Sequence, residues 1–486
     1  MNLLLLNPDY MRYSVPPLGL ISLAAFVRVK CPFLNIKLID QIPKDEIFNQ
    51  IKIFSPEVIG FSAVSENYFF VKGLAKKVKK LFPKTILVLG GIHITTSPES
   101  FKESPFDISV RGEGEISFTD LLKSINKNQG ISKIELSKIK GLMFRDGNEI
   151  IDKGLSEFIN NLDDIPLPAR ELLNNDYYSL PSLSGKDDFD PTGSIITSRG
   201  CPHNCRFCSS YALWGRRIRF FSAERVVEEV EVLYKVYKYK KIAFLDDVFT
   251  INKPRLKKII SILKTKPFFG KVKFSVLGRA DSFDEETAKL LKELNVFLVT
   301  FGIETGSQKV LTYLKRGIIK VEDGINAIKI AKKYKIMGGG FFMIGSPYET
   351  TEDMEKTYRF IQNYCKDNFA IHQTIPLPGT EVWEYALKKN IIKKDFYDHP
   401  QKDFVDISLD LLLSKEVSKE EFERMFYKIK SLHYNKTRWE LIFKIKSLRL
   451  RHIRLFFNPI FRTKAFALRG RVIKKFLNQT TVKKEV

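Results

Sequence analysis

Short apolar runs alternate with amphipathic stretches along the first part of the chain. Residues 3–6, 36–39, 58–61, 86–89 and 108–110 are rich in Leu, Ile and Val and give way to polar or turn residues, which predicts buried strands. Residues 68–81, between two of these runs, carry their lysines on one side at helical spacing. Strands alternating with helices predict a parallel sheet covered on both faces. Such a sheet binds ligands beyond the carboxyl ends of its strands, here the loops 7–17, 62–66 and 90–98.

A connector follows. Asp146-Gly147 predicts a hairpin between residues 144 and 150, and Ile165-Pro166-Leu167-Pro168 predicts an extended strap. The alternation then resumes, with strands expected at 194–197, 241–245, 273–277, 297–301, 339–344 and 369–374 and helices such as 223–237, 284–294 and 321–334 between them. Strand–helix units in this number predict a partial (β/α)6 barrel with its active site at the strands' carboxyl ends. Beyond residue 398 the strand signals fade. Residues 418–431 and 436–457 predict helices, the first opening with Ser418 three residues before Glu421, the spacing of a capping box. The expected fold is α/β: a doubly wound, Rossmann-like sheet over residues 1–135, a connector over 136–193, the partial barrel over 194–390 and a helical basic region over 391–486.

Composition agrees with a soluble protein of more than one domain: 486 residues, 44% hydrophobic and 28% charged. No uncharged apolar run approaches the length of a spanning helix. The apolar start lacks a basic leader and runs at once into Asn7-Pro8-Asp9, so it reads as a buried strand and not a secretory signal. The formal net charge is +24, and half of it lies in the tail, where residues 441–486 hold thirteen Lys/Arg against Glu485 alone. Over 436–486 the basic residues interleave with apolar ones such as Leu441, Phe443, Leu450 and Phe456. That pattern suits a helix packed on the barrel with a solvated face, or one lying on an anionic membrane surface. Nucleic acid is disfavoured as a partner, because no module with base-stacking aromatics is recognisable.

The chemistry concentrates in Ser198-Arg199-Gly200-Cys201-Pro202-His203-Asn204-Cys205-Arg206-Phe207-Cys208, directly after an expected strand. Thiolates suit zinc or iron–sulfur clusters. Structural zinc normally closes four ligands, often as two pairs. No second pair exists here, since the two other cysteines, Cys31 and Cys365, stand far apart. A zinc site completed by His203 is the alternative. The favoured reading is a [4Fe–4S] cluster on Cys201, Cys205 and Cys208 with one iron left open. Reduced cysteines in these numbers suggest a cytoplasmic setting.

The Cys-x3-Cys-x2-Cys spacing after the first barrel strand, with aromatic Phe207 before the third cysteine, resembles the radical S-adenosylmethionine (SAM) enzymes. The resemblance implies that the open iron chelates SAM. It also implies SAM contacts from Phe207, from Asp246 in Phe244-Leu245-Asp246-Asp247, from Arg279, from Glu304 in Phe301-Gly302-Ile303-Glu304 and from Gly345 in Ile344-Gly345-Ser346-Pro347. Each polar member has a plainer alternative: Asp246 as a turn or cap, Arg279 and Glu304 as partners in structural ion pairs.

The amino-terminal motifs Pro16-Pro17-Leu18-Gly19-Leu20, Ser62-Ala63-Val64, Gly90-Gly91-Ile92-His93 and Val110-Arg111-Gly112-Glu113-Gly114-Glu115 resemble the cobalamin-binding domain carried by a subgroup of these enzymes. The implied contacts are Pro17, Leu18, Gly19, Ser62, Gly90, Gly91, His93 and Glu113, with a loop-stabilising hydrogen bond as the alternative for His93. Loop 7–17 contains no histidine, so the lower axial position of cobalt is not expected to be filled by one. The resemblance covers residues 1–390.

It implies a cobalamin-dependent enzyme that cleaves SAM reductively to a 5′-deoxyadenosyl radical and modifies an unactivated carbon, foremost by methyl transfer. The partners it implies are a small-molecule substrate, hydrophobic if the tail reaches a membrane, and an external one-electron donor. Cyclisation or rearrangement is an alternative outcome. Methylthiolation ranks lower, since two leftover cysteines cannot build a second three-cysteine site. A corrinoid or iron–sulfur sensor that binds nucleic acid is disfavoured, because a sensor needs no SAM pocket.

Overall fold

The computed structural model describes residues 1–8, 15–40, 44–173, 178, 192–400 and 408–446, without the side chains of 44–45 and 433–446. A first sheet orders its strands β2-β1-β3-β4-β5-β6-β7, with β1 Asn2–Asn7, β2 Asn35–Asp40, β3 Val58–Ser62, β4 Ile86–Gly90, β5 Ile108–Val110, β6 Leu142–Asp146 and β7 Glu149–Asp152. The first five are parallel. Leu3 to Leu6 of β1 have no exposure at all, as a strand covered on both faces requires. The chain leaves β1 first towards β2 and then towards β3, so the strand order reverses at β1, the position where such sheets open a crevice. The hairpin β6–β7 turns at Gly147 (φ 60°) and joins this sheet as an antiparallel edge.

The second large sheet runs β15-β14-β13-β12-β11-β8, comprising β8 Thr192–Ile195, β11 Lys241–Phe244, β12 Lys273–Gly278, β13 Val296–Glu304, β14 Met337–Ile344 and β15 Phe369–Gln373. All its pairings are parallel and sequential. It is an open half-barrel edged by β8 and β15. The strand expected at 194–197 ends earlier, at Ile195. Residues 198–199 instead form β9, Ser198–Arg199, antiparallel to β10, Arg219–Phe220. This two-rung ladder closes the base of the cysteine loop.

Past the barrel, Ser418 caps its helix as expected: Glu421 N–H donates to Ser418 Oγ at 3.2 Å, and Ser418 N–H to the Glu421 carboxylate at 3.2 Å. The two helices expected there are one, Lys419–Lys446, because no Gly or Pro between them supplies a stop. Residues 447–486, most of the basic tail, lie outside the described residues. No described helix is long and apolar enough to cross a membrane. Met1–Ile429, holding both large sheets, forms one compact unit, and the chain from Lys430 belongs to another.

Candidate functional site

A cavity of about 590 Å³ opens at the carboxyl ends of β1, β3 and β4. Its walls include Asn7, Pro17, Leu18, Gly19, Ser62, Gly90, Gly91 and Glu113. All the residues expected to cradle cobalamin, except His93, therefore face one space. Backbone forms much of the wall. Gly91 sits at φ 101°, and a Cβ there would lie 2.5 Å from Ala63 O, so only glycine lets the loop cross β3 this closely. Gly19, in the first turn of the helix Leu18–Lys30, is the opposite case: a Cβ would meet nothing within 4 Å. A broad ligand laid against β1, β3 and β4 finds room where side chains are missing.

His93 is corrected by the structure. It does not line the cavity and is 1% exposed. Its Nδ1 lies 3.1 Å from Ser65 Oγ and its Nε2 3.1 Å from Ser100 Oγ, and its ring stacks on Tyr68 at 3.9 Å. Burial, with help from Lys72, lowers its pKa to about 3, so it is a neutral core imidazole with both nitrogens engaged.

The same cavity is walled on its other side by Ser198, Arg199, Gly200, Leu213, Trp214 and Asp247. These residues flank the cysteine loop. Gly200 (φ 95°) precedes Cys201, and a Cβ there would stand 2.1 Å from Arg217 O. The loop is strapped down along its length. Arg206 N–H donates to Leu314 O at 2.9 Å, Val382 N–H to Arg206 O at 3.2 Å, and Arg316 Nε to Asn204 O at 2.7 Å. Cys201, Cys205 and Cys208 are partly exposed, whereas Cys31 and Cys365 are buried. Burial pushes the Cys201 thiol up and the Cys208 thiol up to about 12. Three cysteines on one loop, with no second pair near them in the sequence, suit a cubane with one open iron better than the four-ligand closure of structural zinc. The donor set fits the cluster.

The residues expected around SAM all have protein partners. Asp246, 1% exposed, accepts from Thr197 N–H at 3.0 Å, from Thr197 Oγ1 at 2.9 Å and from Ser198 Oγ. It ties the end of β11 to the segment leading into the cysteine loop. Its neighbour Asp247 is the one that faces the cavity, accepting from Ser210 Oγ at 2.7 Å. Arg279 pairs with Asp281 at 2.8 Å. Glu304 pairs with the buried Lys315 at 3.0 Å and holds a left-handed backbone, φ 68°, at a bulge where β13 leaves register with β14. Strain of this kind in a non-glycine residue gathers at functional sites. Phe207 packs beside the cluster of Val382, Trp383 and Leu413. Gly345 (φ 80°) admits Phe422, whose ring would lie 2.8 Å from a Cβ there.

The sequence reading missed Arg199, Arg219, Glu115, Trp214 and Asp247. Asp247 was half visible, as the second of a carboxylate pair. The others form an ion-pair group whose only signal was two arginines near the cysteines and two glutamates in Gly112-Glu113-Gly114-Glu115. Burial would raise the Glu113 carboxyl, but Arg219 and Arg199 together hold it below the usual range. Burial likewise works against the Arg199 charge, and Glu115 and Glu113 outweigh it, so its pKa rises.

The chain matches the B12 binding domain over residues 9–122 and the Radical SAM superfamily over residues 195–361. A protein of Pyrococcus horikoshii, described as an uncharacterized methyltransferase, is 37% identical over 78% of this chain and 80% of its own length. The anaerobic magnesium-protoporphyrin IX monomethyl ester cyclase of Cereibacter sphaeroides is 24% identical over 75% of this chain, which spans 58% of that protein. Among solved structures, the radical SAM methyltransferase TsrM of Kitasatospora setae shares the fold with a TM-score of 0.66 and 19% identity, over 87% of this chain and 83% of that one. The radical domain brings with it a [4Fe–4S] cluster and SAM, and the preceding domain brings cobalamin. With its cysteine loop on a half-barrel and a glycine-walled crevice in the sheet before it, the chain belongs to the radical SAM superfamily, in the form that carries a B12-binding domain ahead of the radical domain.

Proposed function

We propose that this protein methylates an unactivated carbon of a small-molecule substrate. The observation that carries the reading is the shared cavity: loops suited to a corrin form one wall, and the flank of the cysteine loop forms the other. The cluster with SAM would supply hydrogen-abstracting radical chemistry, and cobalamin would supply a transferable methyl group. Cys201, Cys205 and Cys208 would hold the cluster. Pro17, Leu18, Gly19, Ser62, Gly90, Gly91 and Glu113 would hold cobalamin. Asp247, with one hydrogen bond from Ser210 and a place on the wall, suits an ammonium or hydroxyl group. Glu304 and Arg279 would reach SAM from the ion pairs that orient them, while Phe207 and Gly345 would shape its pocket through packing. Leu213, Trp214, Phe221 and Leu245 add apolar surface to the wall and would help to keep water from the reacting carbon.

The names of the Pyrococcus and Kitasatospora proteins support methyl transfer; that of the Cereibacter protein supports cyclisation. A Methanocaldococcus jannaschii protein described as a putative methylthiotransferase is 26% identical over 86% of this chain, but the cysteines give methylthiolation no support. Cys31, buried, lies 3.9 Å from Thr119 O, and Cys365 is buried in the turn Ile361–Cys365, so neither joins a second cluster site. The test is anaerobic turnover with cobalamin, a low-potential reductant, cell extract as substrate source and SAM carrying a deuterated methyl group. Methyl transfer yields S-adenosylhomocysteine and 5′-deoxyadenosine together, with the label in a product. Deoxyadenosine without S-adenosylhomocysteine would move the reading to cyclisation or rearrangement.

A further inference from the structure

The loop that walls the corrin crevice and the loop that carries the cysteines are joined by buried charges. After β5, Glu113 stands at the N-cap and Glu115 in the first turn of the helix Gly114–Asn128. Arg199 Nη1 donates to Glu113 at 2.9 Å and its Nη2 to Glu115 at 2.5 Å. Arg219, the partner of Arg199 across the β9–β10 ladder, donates to both oxygens of Glu113 at 2.8 and 2.9 Å. Ile159 N–H of the connector adds a further bond to Glu113 at 2.9 Å, and Ile159 O accepts from Arg219 at 2.6 Å. Trp214, at the end of the short helix Ser210–Trp214 that follows the cysteines, lies under both guanidinium groups, 6.0 Å from Arg199 and 5.6 Å from Arg219. The side chains of Glu113 and Glu115 are 1% and 6% exposed, and those of both arginines 12%.

A neutral group of four buried charges adds little net stability over apolar packing, but it tolerates few relative positions, because loss of one partner strands another. Its placement is what gives it a role. Glu113, Glu115, Arg199 and Trp214 all line the corrin-sized crevice. Arg199 is separated from Cys201 only by Gly200, whose backbone is pressed against Arg217. A shift of the cysteine loop therefore moves the crevice wall, and a ligand against that wall restrains the loop.

On the reading of the site given above, we propose that Arg199 and Arg219, clamped on Glu113 and Glu115, are positioning residues that couple the two cofactor sites, so that filling the cluster site changes the affinity for cobalamin. Such coupling is reciprocal and is commonly about 5-fold or more. The measurement is the dissociation constant of hydroxocobalamin for the full chain, with and without the reconstituted cluster, under anaerobic conditions. In the unsubstituted protein the two constants differ by about 5-fold or more. In Arg199→Gln, with iron content unchanged, the ratio falls to near one. Arg199→Lys keeps part of the ratio, since the charge remains but the fork that spans two carboxylates does not. A merely structural role would weaken both constants equally and leave the ratio intact. If Arg199→Gln does not fold, Glu115→Gln is used instead: Glu113 still holds both arginines, but one arm of the Arg199 fork is released and the ratio falls part of the way towards one. Equal constants in the unsubstituted protein, or an undiminished ratio in the variant that folds, would overturn the coupling alone. Failure of the unsubstituted protein to bind cobalamin would overturn the functional reading and the coupling with it.

Discussion

The two rims that meet at the cavity are built from opposite materials. The rim of the first sheet works by leaving side chains out. Gly19 opens onto empty space, and Gly91 takes a backbone conformation that lets a loop pass within contact of β3. The half-barrel side puts Ser198, Arg199, Trp214 and Asp247 on the cavity wall, and behind them the strand ends carry polar side chains that each have a partner: Asp246 on Thr197 and Ser198, Arg279 on Asp281, Glu304 on Lys315. A large flat ligand is recognised by shape, which backbone supplies with little loss of side-chain entropy. A metal cluster and a zwitterion need thiolates and charges, which must be held in place against their own desolvation. The rims should therefore fail in different ways.

The sharpest separation comes from the cysteines. Cys205→Ala removes one of the three proposed cluster ligands, and deoxyadenosine formation falls to the level of a no-enzyme control, read by chromatography after anaerobic incubation. Cobalamin still binds to the variant, read from the visible spectrum, with its dissociation constant shifted by no more than the coupling to the cluster, because the backbone rim does not contain the cysteines. Loss of both at once would show that the rims are not separate materials but one.

Gly91→Ala attacks the backbone rim. The φ of 101° and the 2.5 Å approach to Ala63 O set a cost of about 1–3 kcal/mol for the strained conformation alone. The cobalamin dissociation constant rises by about tenfold or more, and the melting temperature falls. Gly19→Leu has the smaller, cleaner effect. Its Cβ meets nothing, so stability stays within about 0.5 kcal/mol, while the side chain enters the crevice and weakens cobalamin binding. Equal affinity in Gly19→Leu and the native protein would place the ligand elsewhere on the rim.

How much of this was legible in the sequence follows from the same contrast. The strands were readable because runs such as Leu3–Leu6 are apolar on both faces, and β5 and the helix Tyr68–Leu81 lie where the pattern put them. The cysteine loop was readable because its chemistry is local. The glycine cradle was readable only as motifs in order, since a missing Cβ means nothing until the backbone it admits is known. The charged partners were not readable. Glu113 and Arg199 are 86 residues apart, and sequence carries no signal for which arginine meets which glutamate across two sheets. His93 misled for a related reason: its neighbours Gly90 and Gly91 face the crevice, but the helical turn Ile92–Thr96 rotates its ring back into the core. Gly345 was expected to admit a ligand; in the structure the space beside it is taken by Phe422, a packing partner 77 positions along the numbering that no local pattern announces.

One acid at the barrel rim lacks the partners that its neighbours have. Glu349, in the loop after β14, is fully buried. Its Oε2 accepts from Ser346 N–H at 2.9 Å, but its Oε1 has no hydrogen-bond partner among the described residues. Burial raises its pKa to about 8, against the pull of the Ser346 and Gly345 backbone. The folded protein thus keeps a proton that the unfolded chain releases near 4.5. This contribution to stability is full below that pH and declines as pH rises towards 8, by at most about 1.4 kcal/mol per pH unit. Glu349→Gln holds the neutral state at every pH. Its melting temperature relative to the native protein should therefore climb between pH 5.5 and pH 8, by roughly 2–4 °C for each kcal/mol recovered. Activity need not change in step, since Glu349 is not among the residues lining the crevice. A difference in melting temperature that stays flat across this range would mean that the carboxylate is ionised and paired in solution, and the barrel rim would then hold no unpartnered acid.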